Sequence, residues 1–182
     1  MSAGIVDEIV AFWFETLKPE DWYRKNPAID AAITERFGAT YEALKTGVPP
    51  DWLAEPKGML AAIIVLDQFP RNMFRDDARA FATDQAALAL AKRAISEGTD
   101  MRLAPEQRAF IYLPFQHAET RDDQARSIEL FTALGNPNNL DFALRHQAII
   151  ARFGRFPHRN SVLGRASTAE ELAFLQEPGS SF

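Results

Sequence analysis

"MLAAIIVLDQFPRN", residues 59–72, decides the fold class. Eight apolar residues in succession, Met59 to Leu66, leave none of the apolar/polar alternation that marks a half-buried strand. On a helical wheel they cover the whole circumference, which predicts a helix buried on every side. The run is far too short to span a bilayer, which takes about 20 residues. Asp67 and Gln68 close it, and Asp67 falls on the wheel between Leu60, Ile63 and Ile64. Proline lacks an N–H and restricts the residue before it, so Pro70 is expected to end this helix. Phe69 then anchors the turn, and Arg71 and Asn72 leave the mouth of the core as polar heads.

The pattern recurs at "AIIARFGRFPHRN", residues 148–160, where Phe156-Pro157 is followed by His158, Arg159 and Asn160. The preceding segment, 140–153, is apolar around most of its wheel. His146 lies among Phe142, Ile149, Ile150 and Phe153, while Arg145 and Arg152 share another side. The expected reason for the repetition is a polar pocket built at the ends of two buried helices. Asp67 cannot stay charged in an apolar surround without a partner. It is therefore expected to contact an arginine of the 145–165 block, joining the two Phe-Pro ends.

Working outward, the remaining chain also reads as helices separated by Pro, Gly and Asn. Residues 4–15 form the first. "NPAIDAAITERFGATYEALKTG" has Asn26 as N-cap, Pro27 at its first position and Gly47 at its far end. Ile29, Ile33, Phe37, Tyr41 and Leu44 recur in it at helical spacing. A helix at about 78–97 stops at Gly98, and one from Pro105 is cut by Pro114. Another, at about 120–134, stops at Gly135. "STAEELAFL" opens with a capping box in which Glu170 reciprocates Ser167. No linker or low-complexity stretch interrupts residues 1–182, so the expectation is a single all-helical domain, an all-α bundle of roughly eight helices.

Composition narrows the function classes. The chain has 182 residues, no cysteine and a formal charge of −5. Disulfides, thiolate metal sites and cysteine nucleophiles are excluded. Net negative charge argues against nucleic acid as a partner. The N-terminal stretch carries Asp7 and Glu8 and no Lys or Arg before Lys18, unlike a targeting peptide. A cytoplasmic protein without a membrane partner is the simplest expectation. The charge is uneven, however: no acid occurs between Asp141 and Glu170, whereas Arg145, Arg152, Arg155, Arg159 and Arg165 all do. Such a block either binds an anion or pairs with acids brought from elsewhere in the fold.

"LDQFPRNMFRDDARAFATD", "YLPFQHAE", "RHQAIIARFGRFPHRNSVLGR" and "STAEELAFL" together resemble the bacterial family known as domain of unknown function 924. The resemblance runs over nearly the whole chain. It implies an all-α domain with tetratricopeptide-repeat-like packing of helix pairs, and it brings no assigned activity, cofactor or functional residue.

The candidate ligand-binding residues are Asp67, Gln68, Arg71, Asn72, His117, Arg152, Arg155, His158, Arg159 and Asn160. Arginine offers a planar fork for carboxylate or phosphate. His158, His117 and Asp67 are the candidates for proton chemistry, His158 as a general base if Asp67 or Glu119 orients it. His146 reads as a hydrogen-bonded core histidine. "QHAETRDDQ" sets His117 near Glu119, Asp122 and Asp123, but His117 and Glu119 would point to different sides of a helix, so no metal and no cofactor is expected. There is no GxSxG elbow, P-loop or GxGxxG. Two readings remain: a pocket for a small anionic molecule, with or without catalysis, and a protein-interaction module using a concave helical surface. Clustering of the polar residues at helix ends favours the pocket.

Overall fold

The computed structural model describes residues 3–181, with side chains from Gly4 onward. Every regular element among them is helical. The longer helices are α1 (Ala3–Ala11), α2 (Pro27–Thr46), α3 (Pro50–Ala54), α4 (Pro56–Ile63), α5 (Phe69–Met73), α6 (Asp84–Ser96), α7 (Pro105–His117), α8 (Arg121–Leu134), α9 (Pro137–Phe153) and α10 (Ala169–Phe174). They fall into two compact units. Unit 1 holds the described residues up to Arg75 together with Arg79–Pro114, and unit 2 holds Asp76–Ala78 with Phe115 onward.

Unit 1 is built around α4, against which α1, α3 and α6 pack. Residues Met59 to Leu66 are essentially without solvent exposure, as their all-round apolar wheel requires. The chain approaches itself so closely here that a Cβ at Gly58 would collide with the backbone of Trp52. α2 begins as its sequence dictates, with Asn26 Oδ1 accepting from the Ala28 N–H, and buries Ile33, Phe37, Tyr41 and Leu44. Phe37 stacks on Phe69 at 5.0 Å and meets Phe12 edge-on at 5.3 Å. Both fall in the centroid range where aromatic pairs add to simple burial.

Pro70 does not end its helix. The chain widens into a π-turn over Ile64–Gln68 and continues as α5, with Pro70 in its first turn. In an uninterrupted α-helix the residue 70 N–H would serve the Leu66 carbonyl. Thr83 provides a donor in its place: its buried hydroxyl donates to Leu66 O. A second π-turn, Phe12–Thr16, ends α1, and the carbonyl of Trp13 within it accepts from Trp22 Nε1 at 2.9 Å. Pro114 likewise lies inside α7 and does not cut it. The segment expected as one helix over 78–97 is a 3-10 turn, Ala78–Phe81, followed by α6.

In unit 2, α8 and α9 pack on each other across the short turn at Gly135 and Asn136. Gly135 takes the left-handed conformation, φ 79°, that ends α8. The core here is Ile149, Ile150, Phe156 and Phe174, with Phe153 against it. α9 is less enclosed than its wheel suggested, since Phe142 and Leu144 are exposed. Its end is set by left-handed Gly154, and Pro157 opens a separate 3-10 turn, Pro157–Arg159. Neither Phe-Pro copy therefore terminates a helix in the way proline alone predicts. The box that opens α10 also sits one residue later than expected: Thr168 is the cap and Glu171 its reciprocal partner. Ser167 instead accepts from Asn160 Nδ2 at 3.0 Å.

Candidate functional site

The expected site residues divide between the units. Unit 1 holds Asp67, Gln68, Arg71 and Asn72; unit 2 holds His117, Arg152, Arg155, His158, Arg159 and Asn160.

In unit 1, Asp67 has no solvent exposure, as its position after the apolar run demanded. Gln68 Nε2 donates to its Oδ2, and Arg71 Nη1 lies 3.5 Å from its Oδ1. The same arginine donates to the Asp67 carbonyl and grips Asp84 through both Nη atoms at 2.8 and 3.0 Å. Burial works against the Arg71 charge, but Asp84 and Asp67 outweigh it and hold the guanidinium above its ordinary pKa. Asn72 Nδ2 donates to Asp30 Oδ1 at 2.8 Å, and Arg75 grips the same carboxylate. Arg71 and Asn72 thus engage acids of their own unit. Asp30 and Asp84 were not among the expected site residues. Asp84 closes the signature string "RDDARAFATD", and this was the one signal available.

In unit 2 most of the arginine block is consumed by ion pairs. Arg152 pairs with Glu170 at 2.8 Å on the surface. Arg155 grips Glu171 through Nε and Nη2 at 2.7 and 2.8 Å. Its hydrogen bond, against the opposing effect of burial and with help from the Thr168 N–H and Asn160, lowers the Glu171 pKa to about 2. Arg165 grips Glu119 at 2.7 and 3.0 Å, and the Phe156 N–H donates to the same carboxylate at 2.7 Å. Burial pushes the Glu119 carboxyl up, but these donors and the charges of Arg165 and Arg159 bring it below its usual range. Asn160 is buried, accepting from Arg165 Nε and donating to Ser167. Glu119 and Glu171 are the hubs of this network, although neither carried weight as a ligand in the sequence. Their acids come from outside the 142–169 gap, which is why the arginines looked unpaired.

What stays distinctive is the company of His146. His117 lies 6.3 Å away between ring centroids, and Phe156 stands edge-on at 5.6 Å. Phe156 in turn contacts His158 and lies beneath the Arg159 guanidinium at 4.6 Å. All three histidines of the chain and one nearly buried arginine thus gather in unit 2. His146 Nδ1 is 2.8 Å from the Phe142 carbonyl. A carbonyl only accepts, so Nδ1 carries the proton of the neutral ring. Burial, then the charge of His117, and in smaller part those of Arg159 and His158, drive the His146 pKa down to about 3. No group of three His, Asp or Glu among the described residues is placed to hold a metal ion. No described helix is long and apolar enough to cross a membrane.

Residues 9–179 match the family model described as a bacterial protein of unknown function, DUF924. A solved structure, that of the protein of unknown function ATU0120 from Agrobacterium tumefaciens, is 39% identical. It superposes with a TM-score of 0.92 over 97% of this chain and 99% of that one. No curated protein matches the chain. With helices and signature strings in agreement over nearly its whole length, the chain belongs to the DUF924 family.

Proposed function

We propose that unit 2 binds a small anion, a carboxylate or phosphate, at the cluster of His117, His146, His158 and Arg159. The observation that carries this reading is the convergence of three imidazoles with a guanidinium that is 7% exposed. Burial first, and then the charges of His117, Arg159 and His158, already hold the His146 pKa well below the ordinary histidine value. An anion offsets that charge repulsion: the Arg159 guanidinium and the His117 and His158 imidazoles can donate to an oxyanion. His146, whose Nδ1 proton is committed to the Phe142 carbonyl, donates only once the anion draws a proton onto Nε2. Arg71, Arg152 and Arg155 contribute less than their sequence positions suggested, because Asp84, Glu170 and Glu171 occupy their forks.

The test is thermal unfolding of the whole protein with inorganic phosphate and with citrate. A ligand at 100 times its dissociation constant adds about 2.7 kcal/mol of stability. The expected result is a saturable rise in Tm that His158→Gln and Arg159→Gln remove and Arg152→Gln leaves in place. No rise with either anion, or a rise that survives both cluster substitutions, overturns the reading.

A further inference from the structure

A cleft of about 220 Å³ opens between α8 and α9, lined by Arg121, Gln124, Gln147, Ile150 and Ala151. We propose that it binds a small carboxylate bearing an N–H or O–H donor beside the carboxyl group, and that Arg121, Gln124 and Gln147 recognise it.

Arg121 supplies the charge. Its only hydrogen bond among the described residues is a long one, 3.3 Å, from Nη2 to the Ala151 carbonyl. No described carboxylate pairs with it, in contrast to Arg126, Arg145, Arg152, Arg155 and Arg165 of the same unit. It also stands at the first position of a 14-residue helix, where the backbone dipole favours negative charge. Asp122 and Asp123 share this first turn, but no ion pair among the described residues joins either to Arg121, and the Asp123 carboxylate accepts from the Thr120 hydroxyl at 2.7 Å.

Gln124 supplies the second, independent feature. It is wholly buried, and its Nε2 donates to the carbonyls of Gln116 and Ala118 at 2.7 and 2.8 Å. Those two carbonyls fix the amide's orientation, because the flipped form would set oxygen against oxygen. Oε1 is then left as a buried acceptor with no donor. Native proteins rarely leave such atoms unsatisfied unless water or a ligand completes them. Gln147, half-buried on the other wall, can donate or accept. Ile150 and Ala151 suit a short aliphatic body. A guanidinium for an oxyanion, a buried acceptor for a neighbouring donor and an apolar wall together describe an α-hydroxy or α-amino carboxylate.

The two sources are separated by titrating the isotopically labelled full chain with L-lactate, with L-alanine and with acetate, following the side-chain amides of Gln124 and Gln147 by NMR. The expected result is saturable movement of both amides with lactate or alanine, with acetate about tenfold weaker or worse for want of the donor. Arg121→Gln raises the dissociation constant by roughly tenfold to a hundredfold, the worth of a charge-assisted contact. Gln147→Leu, on the half-buried wall, raises it as well and keeps the test alive if the arginine variant misfolds. His158→Gln leaves it unchanged, which separates this cleft from the histidine cluster. Absence of saturable movement with both donors, equal affinity for acetate, or unaltered affinity in Arg121→Gln overturns the proposal. A fall in Tm of Arg121→Gln without any binding to the parent protein would do so too, assigning the arginine to capping α9.

Discussion

Asp67 shows how much a single position constrains the chain around it. An ionised carboxylate without solvent exposure needs donors, and Gln68 and Arg71 provide them within one turn. Truncating one partner of a buried charge pair usually costs about 3–5 kcal/mol, because the survivor is stranded. Arg71 keeps Asp84 when Asp67 is lost. Asp67→Ala is therefore expected at the low end of that range or slightly below, and Asp67→Asn about 1–2 kcal/mol milder, since it keeps an acceptor for Gln68. Urea unfolding of the two variants checks the order. An alanine variant as stable as the parent would mean that the carboxylate contributes nothing where it sits. His146 makes the same point from the opposite sign: it is accommodated in a core by staying neutral and donating through Nδ1.

At the level of the element, the two Phe-Pro strings teach that proline does not by itself end a helix. Its missing N–H matters only through the carbonyl left behind. At Pro70 a π-turn shifts the hydrogen-bond register and Thr83 caps Leu66 O, so the helix resumes. At Pro157 the helix has already stopped at Gly154, whose φ of 71° glycine reaches without steric cost. Thr83→Val keeps the shape and removes the hydroxyl that donates to the buried Leu66 carbonyl. The expected loss is about 1–3 kcal/mol, and Thr83→Ser should recover most of it. Hydrogen exchange of the amides in α5 adds a local readout, with faster exchange in the valine variant alone. Equal stability of the valine and serine variants would show that Leu66 O needs no such partner.

For the molecule as a whole, the buried ionisable groups set a direction for acid stability. His146 has an unfolded value of 6.5 and a folded value of about 3. The unfolded chain thus takes up its proton first, and stability is lost as pH falls from about 6.5 toward 3, by at most about 1.4 kcal/mol per pH unit. Glu171 and Glu119 are held below their ordinary 4.5 in the folded state. Their contribution is complete above about 4.5 and fades below it, toward about 2 for Glu171. Two steps of acid destabilisation follow. His146→Gln, neutral at every pH, should flatten the first when unfolding free energies at about pH 7 and about pH 5 are compared. Glu171→Gln should flatten only the second. An unchanged first step in His146→Gln would mean that the folded protein takes up this proton as readily as the unfolded chain does.

The all-helical class, the enclosure of residues 59–66, the N-cap at Asn26 and the burial of Asp67 and His146 were all determined by local order along the chain. Each depends on periodicity or on backbone chemistry within a few residues, and both act the same way wherever the segment lies. The capping box was legible to within one residue, Thr168 for Ser167, because neighbouring hydroxyls and acids compete for the same geometry. What only the tertiary structure decided was partnership. Asp84 reaches Arg71 from 13 residues away, Glu119 reaches Arg165 from 46, and Thr83 reaches Leu66 from 17. An arginine in sequence shows that a charge must be met, but which acid meets it depends on how distant helices pack. The orphaned Oε1 of Gln124 and the unpaired Arg121 were invisible for the same reason: to be left without a partner is a property of the folded surroundings, not of the residue.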